Sequence, residues 1–119
     1  MNNPKVIRLS EVYLIAAEAA LKSINDNGAS AAEYINTLRK NRITGYEEVS
    51  TVTLDDILTE RRLELNGEGH MAWDMWRNKK SVNNPKVGKV EYTDYRTVLP
   101  IPQAEINTSH GVIKQNIGY

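Results

Sequence analysis

On a helical wheel begun at Leu54, Ile57, Leu58 and Leu65 fall within about 60° of the start, and Arg61 falls at about 340°, inside the same stripe. A guanidinium among Leu and Ile is tolerated only when it is paired, because an isolated buried charge is strongly destabilising. Whatever fold this chain adopts must therefore bring carboxylates to buried arginine. Glu64 and Glu68 lie at the edge of the stripe, Glu64 three residues from Arg61, so the spacing predicts a structural Arg61–carboxylate network. Leu63 points to the opposite side. The surrounding stretch "ILTERRLELNGEGHMAWDMWR" (Ile57 to Arg77) concentrates three Glu, three Arg, a His, an Asp and both tryptophans around two glycines.

The segments before it read as helices. "NNPKVIR" is an extended lead-in, since Pro4 moves Asn3 away from helical geometry. From Leu9 to about Ser23, Glu11, Glu18 and Lys22 share one narrow stripe and nearly everything else is apolar or Ala. This composition predicts a helix packed on most sides, with Ala16, Ala17, Ala19 and Ala20 allowing close approach. "NDNG" (Asn25 to Gly28) is turn chemistry. Ser30 with Glu33 has capping-box spacing and opens a second helix whose apolar face is Ala31, Tyr34, Ile35 and Leu38. The pair predicts an antiparallel hairpin that loosely resembles one tetratricopeptide unit. After a loop at Thr44 to Val52, Thr53 with Asp56 caps the helix beginning at Leu54. Gly67 and Gly69 bend or end it, and a short helix runs from Met71 to about Asn78.

From Ser81 the texture changes. "SVNNPKVGKVEY" reads as a loop, and "YRTVLPIP" as a short extended run too rich in proline for a central strand. "PQAEIN" reads as a brief helix with Pro102 in its first turn, and "IKQNIGY" as a tail. The fold class is mainly α: a tetratricopeptide-like helical hairpin plus further helices, with an irregular C-terminal wrap. Residues 1–119 are expected to form a single domain, helical over 1–80 and loop-rich over 81–119.

Composition removes several functions. Lys+Arg and Asp+Glu are equal at 15 each and no basic stripe occurs, so no nucleic-acid partner is expected. With no cysteine, a disulfide or Cys-type zinc site cannot be built from these residues. No apolar run approaches the ~20 residues of a membrane span. There is no GxGxxG, P-loop, GxSxG, HExxH or EF-hand spacing.

The chemistry-bearing residues each favour a structural role. Paired carboxylates can do acid/base work, but a neighbouring Arg lowers their pKa and spoils a general acid. His70 and Asp74 are four apart, a spacing metal sites use, yet two ligands make a poor site, and Glu68 would have to complete it across a bend. His110 is the only other histidine. Trp73 and Trp76 could stack on sugar rings, although two Trp beside Met71 and Met75 at helical spacing favour core. Tyr13 and Tyr34 read as helix core, whereas Tyr46, in a loop, is expected to be more available to a ligand. No catalytic residue, metal site or cofactor is assigned, and ligand-binding residues stay unassigned.

Taken in order, "RLSEVYLIAAEAAL", "ERRLELNGEGHMAWDMWR", "VLPIPQAEI" and "KQNIGY" resemble the C-terminal region of the SusD/RagB family, surface lipoproteins of Bacteroidetes that bind nutrients, chiefly glycans. The matching positions are Glu60, Arg61, Arg62, Glu64, Leu65, Glu68, Gly69, His70, Trp73, Asp74 and Arg77, then Leu99, Pro100, Ile101, Pro102, Glu105 and Ile106, then Gln115, Asn116, Gly118 and Tyr119. The resemblance implies an α-helical fold with tetratricopeptide-like hairpins and no catalytic activity. It also implies outer-membrane, cell-surface anchoring through a lipidated N-terminal cysteine, and oligosaccharide capture above a SusC-like TonB-dependent transporter. Much shorter than a complete member, the chain is expected to be a C-terminal fragment serving scaffold and transporter contact. A fragment of this kind is expected to expose apolar surface, as on the helix from Leu9 to Ser23. Two other functions fit the residues: a helical-hairpin module that binds a protein partner, and an enzyme using Glu64, Glu68 or His70.

Overall fold

The fold rests on three helices that meet around Leu14, Ala17 and Ile57, each fully buried. In the computed structural model, residues 7–23 and 28–119 are described, and they belong to two compact units, Met1–Met71 and Ala72–Tyr119. The lead-in over Asn2 to Arg8 and the turn at Asn25 to Gly28 fall mostly outside the described residues.

In the first unit α1 (Leu9–Lys22) packs on α2 (Ala31–Lys40) and on α3 (Leu54–Glu64). Their shared core is Leu14, Ala17, Ala31, Ile35, Leu38, Ile57 and Leu65, with Ala20, Tyr34 and Val52 packed at its margin. Tyr13 and Tyr34 meet edge to face, centroids 6.1 Å apart, across α1 and α2. Both predicted caps form. Ser30 Oγ accepts from the Glu33 N–H while the Glu33 carboxylate accepts from the Ser30 N–H, and Thr53 and Asp56 do the same for α3. These reciprocal bonds satisfy backbone donors that a helix start otherwise leaves orphaned. Leu65 closes α3, and the Glu68 N–H returns to the Leu65 carbonyl in a turn with Gly67 third, at φ +81°. That position requires the left-handed region, which glycine occupies without steric cost.

The α1 helix departs from the expected packing on most sides. Its acidic residues Glu11 and Glu18 turn inward beside Leu14 and Ala17, while Leu9, Val12 and Ile15 face out. The sequence pattern alone could not orient it, because a helix apolar nearly all round has no single preferred face.

The second unit follows from α4 (Met71–Arg77), which spans the boundary. The segment read as a loop from Ser81 is instead a hairpin of β1 (Val82–Asn84) and β2 (Gly88–Val90), with Val82 opposite Val90 and Asn84 opposite Gly88. Its turn is built by the Asn84 side chain, whose Oδ1 accepts from the N–H of Lys86 (2.9 Å) and of Val87 (3.4 Å). The run read as extended from Tyr95 begins with a 3-10 turn, Tyr95–Thr97, capped by Asp94 accepting from the Arg96 N–H at 2.9 Å. Only at Val98 does the backbone become extended. The expected brief helix forms as α5 (Gln103–Thr108), with Pro102 at its N-cap, one residue before the first turn in which it was expected.

The C-terminal residues are tied down rather than trailing. Gln115 binds Ile101 twice, its Oε1 accepting from the N–H at 2.8 Å and its Nε2 donating to the carbonyl at 2.9 Å. Asn116 donates to the Leu99 carbonyl (2.7 Å) and the Tyr119 hydroxyl to that of Val98 (3.0 Å). Tyr119 also meets the Tyr95 ring edge to face at 5.1 Å. The "LPIP" and "QNIGY" motifs are thus two halves of one contact. The fold class is mainly α, with this hairpin and tie completing the second unit.

Candidate functional site

The densest polar constellation gathers where α1 begins, α2 ends and α3 turns. Glu64, on the last residue of α3, accepts from Arg8 Nη1 at 2.6 Å and from Arg42 through Nε (3.0 Å) and Nη2 (2.8 Å). Arg8 also bonds Ser10 and the Glu64 carbonyl, and its Nε reaches both Glu68 oxygens, at 2.9 and 3.2 Å. One guanidinium therefore joins the lead-in of α1, the end of α3 and the glycine turn beyond it. Such forked, charge-assisted bonds fix geometry as well as adding energy.

The predicted pairing of Glu64 and Glu68 with Arg61 is corrected here. Arg61 is buried in the apolar stripe as the wheel requires, but the donors to these two carboxylates are Arg8 and Arg42. At the margin of the stripe, Glu64 reaches away from the helix axis toward cations arriving from other segments. Neither arginine could be found from local spacing, since Arg8 is 56 residues from Glu64 and Arg42 is 22. The available signal was weaker: a carboxylate flanking an apolar stripe needs a cation from somewhere.

Electrostatics make this cluster a tie rather than a reacting centre. The Arg42 hydrogen bonds draw the Glu64 carboxyl down to about 2, against the opposing effect of burial, with Arg8 and Ser10 adding to the same direction. Hydrogen bonding to Arg8 likewise lowers Glu68. Both are ionised at neutral pH and hold no proton to donate. Nearby, Glu60 accepts from Arg39 Nε at 2.8 Å, and the Arg39 guanidinium lies 5.9 Å from the Tyr46 ring centroid.

Tyr46, expected to be open to a ligand, is engaged. Its hydroxyl donates to Asn36 Oδ1 at 2.8 Å, and the same oxygen accepts from the Val49 N–H (3.1 Å) while Asn36 Nδ2 donates to the Val49 carbonyl (2.9 Å). Buried Asn36, which sequence reasoning passed over, thus pins the α2–α3 loop to α2. A polar residue on the apolar face of α2 was its only signal.

His70 and Asp74 go to different partners. His70 Nδ1 lies 3.7 Å from Glu11 Oε1, and buried Asp74 accepts from Arg77 at 2.8 Å. Among the described residues no group of three or more His, Asp or Glu is placed to hold a metal ion. The tryptophans depart from the expectation of core. Trp73 is 56% exposed and Trp76 half-buried, meeting edge to face at 5.6 Å. Met71 is exposed too, so the short helix presents Met71 and Trp73 while Trp76 stays partly enclosed.

The chain belongs to the SusD family, whose SusD/RagB model matches residues 2–119. Among solved structures it is similar to a SusD superfamily protein from Bacteroides thetaiotaomicron VPI-5482, with 43% identity and a TM-score of 0.82 over 93% of this chain and 27% of that one. It is also similar to a candidate sugar-binding protein from Bacteroides vulgatus ATCC 8482 (34% identity, TM-score 0.81, 96% of this chain and 28% of that one). A SusD superfamily protein from the same organism matches at 38% identity and a TM-score of 0.74, over 96% of this chain and 27% of that one. The chain therefore spans about a quarter of the length of these relatives. No curated protein matches it.

Proposed function

We propose that these residues are the C-terminal part of a non-catalytic glycan-binding protein of the cell surface, which captures oligosaccharide and passes it to a SusC-like TonB-dependent outer-membrane transporter. Within that protein they serve as helical scaffold and transporter contact, and a lipidated N-terminal region supplies the outer-membrane anchor. The observation that carries the reading is the SusD family match over residues 2–119, together with likeness to a candidate sugar-binding protein at 34% identity. The charged residues agree with it: Glu64 and Glu68 are held ionised by arginines and are poor proton donors.

The test is a glycan array probed with the full-length protein, with this chain run alongside. Binding of an oligosaccharide class by the full-length protein, and co-purification of a TonB-dependent transporter, is the expected result. Turnover of a glycan that is abolished by Glu64→Gln in a folded protein would overturn the non-catalytic reading.

A further inference from the structure

Asn66 and Gly67 form the exposed tip of the turn that follows α3. Asparagine is thermolabile because the backbone nitrogen of the next residue can attack its side-chain carbonyl. That attack is hindered by a side chain on the next residue, by hydrogen bonds that hold either group, and by burial. None of the three operates at this turn. Both residues are exposed. The Leu65 carbonyl takes the N–H of Glu68 at 3.1 Å, so the bond that closes the turn passes over the Gly67 N–H. Among the described residues, neither that N–H nor the Asn66 side-chain amide makes a hydrogen bond. A Cβ placed on Gly67 would meet nothing within 4 Å, so the space beside the reacting nitrogen is open. Asn27–Gly28 is the other Asn-Gly pair of the sequence, and Asn27 lies outside the described residues.

We propose that Asn66 is a site of spontaneous deamidation and isomerisation, and that its conversion loosens the hold of Arg8 on Glu68. The Gly67 nitrogen gives its proton to solvent base and bonds to Asn66 Cγ. The Cγ–Nδ2 bond breaks, and the amide takes up a proton and leaves as ammonia. Water then opens the cyclic imide at one or the other carbonyl, leaving aspartate or isoaspartate. Nothing is oxidised or reduced, and water is the only co-reactant. Position gives the reaction its consequence. Asn66 stands between Glu64, which binds Arg8 and Arg42, and Glu68, which accepts from Arg8 Nε at 2.9 and 3.2 Å. Aspartate adds a further negative charge to that stretch. Isoaspartate routes the main chain through the side-chain methylene, so Leu65 and Glu68 no longer close a four-residue turn and their bond is lost. Glu68 then moves away from Arg8, while Glu64, on the last residue of α3, keeps its place. The inference uses neither the glycan reading nor the transporter, and failure of either would leave it standing.

The experiment uses the full-length protein and, beside it, Asn66→Gln, whose longer side chain closes the corresponding ring far more slowly. Each is aged in mildly alkaline buffer, native or unfolded in guanidinium, and then digested with trypsin, with unaged protein as blank. Asn66 falls in the peptide of residues 63–77, Asn27 in that of residues 23–39 and Asn116 in the one that begins at Gln115. Mass spectrometry therefore follows the three apart, and chromatography separates the aspartyl from the isoaspartyl form. The native rate at Asn66 is expected to lie within about tenfold of the unfolded rate, as for a site that reacts without unfolding. It should also run ahead of the rate at Asn116, whose Nδ2 is bonded to the Leu99 carbonyl. Native trypsin cleavage after Arg8 should speed up severalfold on ageing in the parent and stay unchanged in Asn66→Gln. A native rate at Asn66 below that range overturns the site. Equal cleavage after Arg8 in the aged parent and the aged Asn66→Gln, once Asn66 has converted, overturns its coupling to Arg8.

Discussion

Replacing Glu64 by Gln keeps the side chain's shape and removes its charge, which isolates the electrostatic part of the cluster. The magnitude can be worked from the geometry. The Glu64 side chain is 9% exposed and its carboxyl is drawn from about 4.5 to about 2. At about 1.4 kcal/mol per tenfold change in proton affinity, that displacement corresponds to roughly 3 kcal/mol. Arg42, however, is 49% exposed, and exposed pairs contribute only about 0–1 kcal/mol. Allowing for this screening, Glu64→Gln is expected to cost about 2 kcal/mol, with Glu64→Ala costing about 3 because it also leaves Arg8 with less to bind.

The pH dependence has a definite sign. The folded carboxyl binds its proton less tightly than the unfolded one, so protonation favours unfolding. The stabilisation is fully present above pH ~4.5 and is lost as the pH falls toward ~2. Urea denaturation followed by far-UV circular dichroism, run from pH 7 to pH 3, reads both quantities. At pH 7 the Gln variant should unfold at about 1 M less urea for a slope near 2 kcal/mol per molar. That gap should narrow below pH ~4.5. A midpoint unchanged at pH 7, or a gap that persists undiminished at pH 3, refutes the assignment of Glu64 as the electrostatic centre of this unit.

Three further outcomes follow from single contacts. Asn36→Leu leaves the part-buried N–H and C=O of Val49 without their side-chain partner and should cost about 2 kcal/mol in urea denaturation, with faster hydrogen exchange at Val49, whereas Tyr46→Phe removes one bond and should cost about 1 kcal/mol. Gly118→Ala would set a Cβ 2.5 Å from the Tyr95 ring at φ +101°, so the C-terminal tie should open at a cost above about 1 kcal/mol, read as faster tryptic cleavage after Lys114. Thr53→Ala removes the cap of α3 and should lower stability by about 1 kcal/mol, while Thr53→Ser should retain most of it; equal melts for Ala and Ser would show that the cap contributes nothing.

Local chemistry was legible in the sequence, and tertiary pairing was not. Ser30 with Glu33 and Thr53 with Asp56 declare their helices because each capping box closes within four residues. Gly67 declares its turn for the same reason. The β1–β2 hairpin was missed because its turn is made by an Asn84 side chain and not by one of the two-residue Asn-Gly or Asp-Gly turns that strand pairs usually advertise. The C-terminal tie was missed because Gln115 and Ile101 are 14 residues apart, and neither signals the other. In α1 the difficulty was different. Three charged residues on an otherwise apolar helix mark a stripe without saying whether it faces water or the protein. The inward turn of Glu11 becomes readable only once His70, brought back by the Gly67 and Gly69 bends, stands 3.7 Å away.

The same reasoning explains why the most reactive-looking stretch is the least available for reaction. A general acid needs a carboxyl whose pKa lies near the working pH, which burial without a cation provides. Here each carboxylate of "ERRLELNGE" is met by an arginine from another segment: Glu60 by Arg39, Glu64 by Arg8 and Arg42, Glu68 by Arg8. At Glu64 and Glu68 those contacts push proton affinity down, the reverse of what acid catalysis requires, and at all three they restrain the side chains. They also join the start of α1 and the end of α2 to the turn after α3, three points that the apolar core alone would leave free to shift. The exposed aromatic side of α4, where Trp73 has no such obligation, is the more accessible chemistry in this part of the chain.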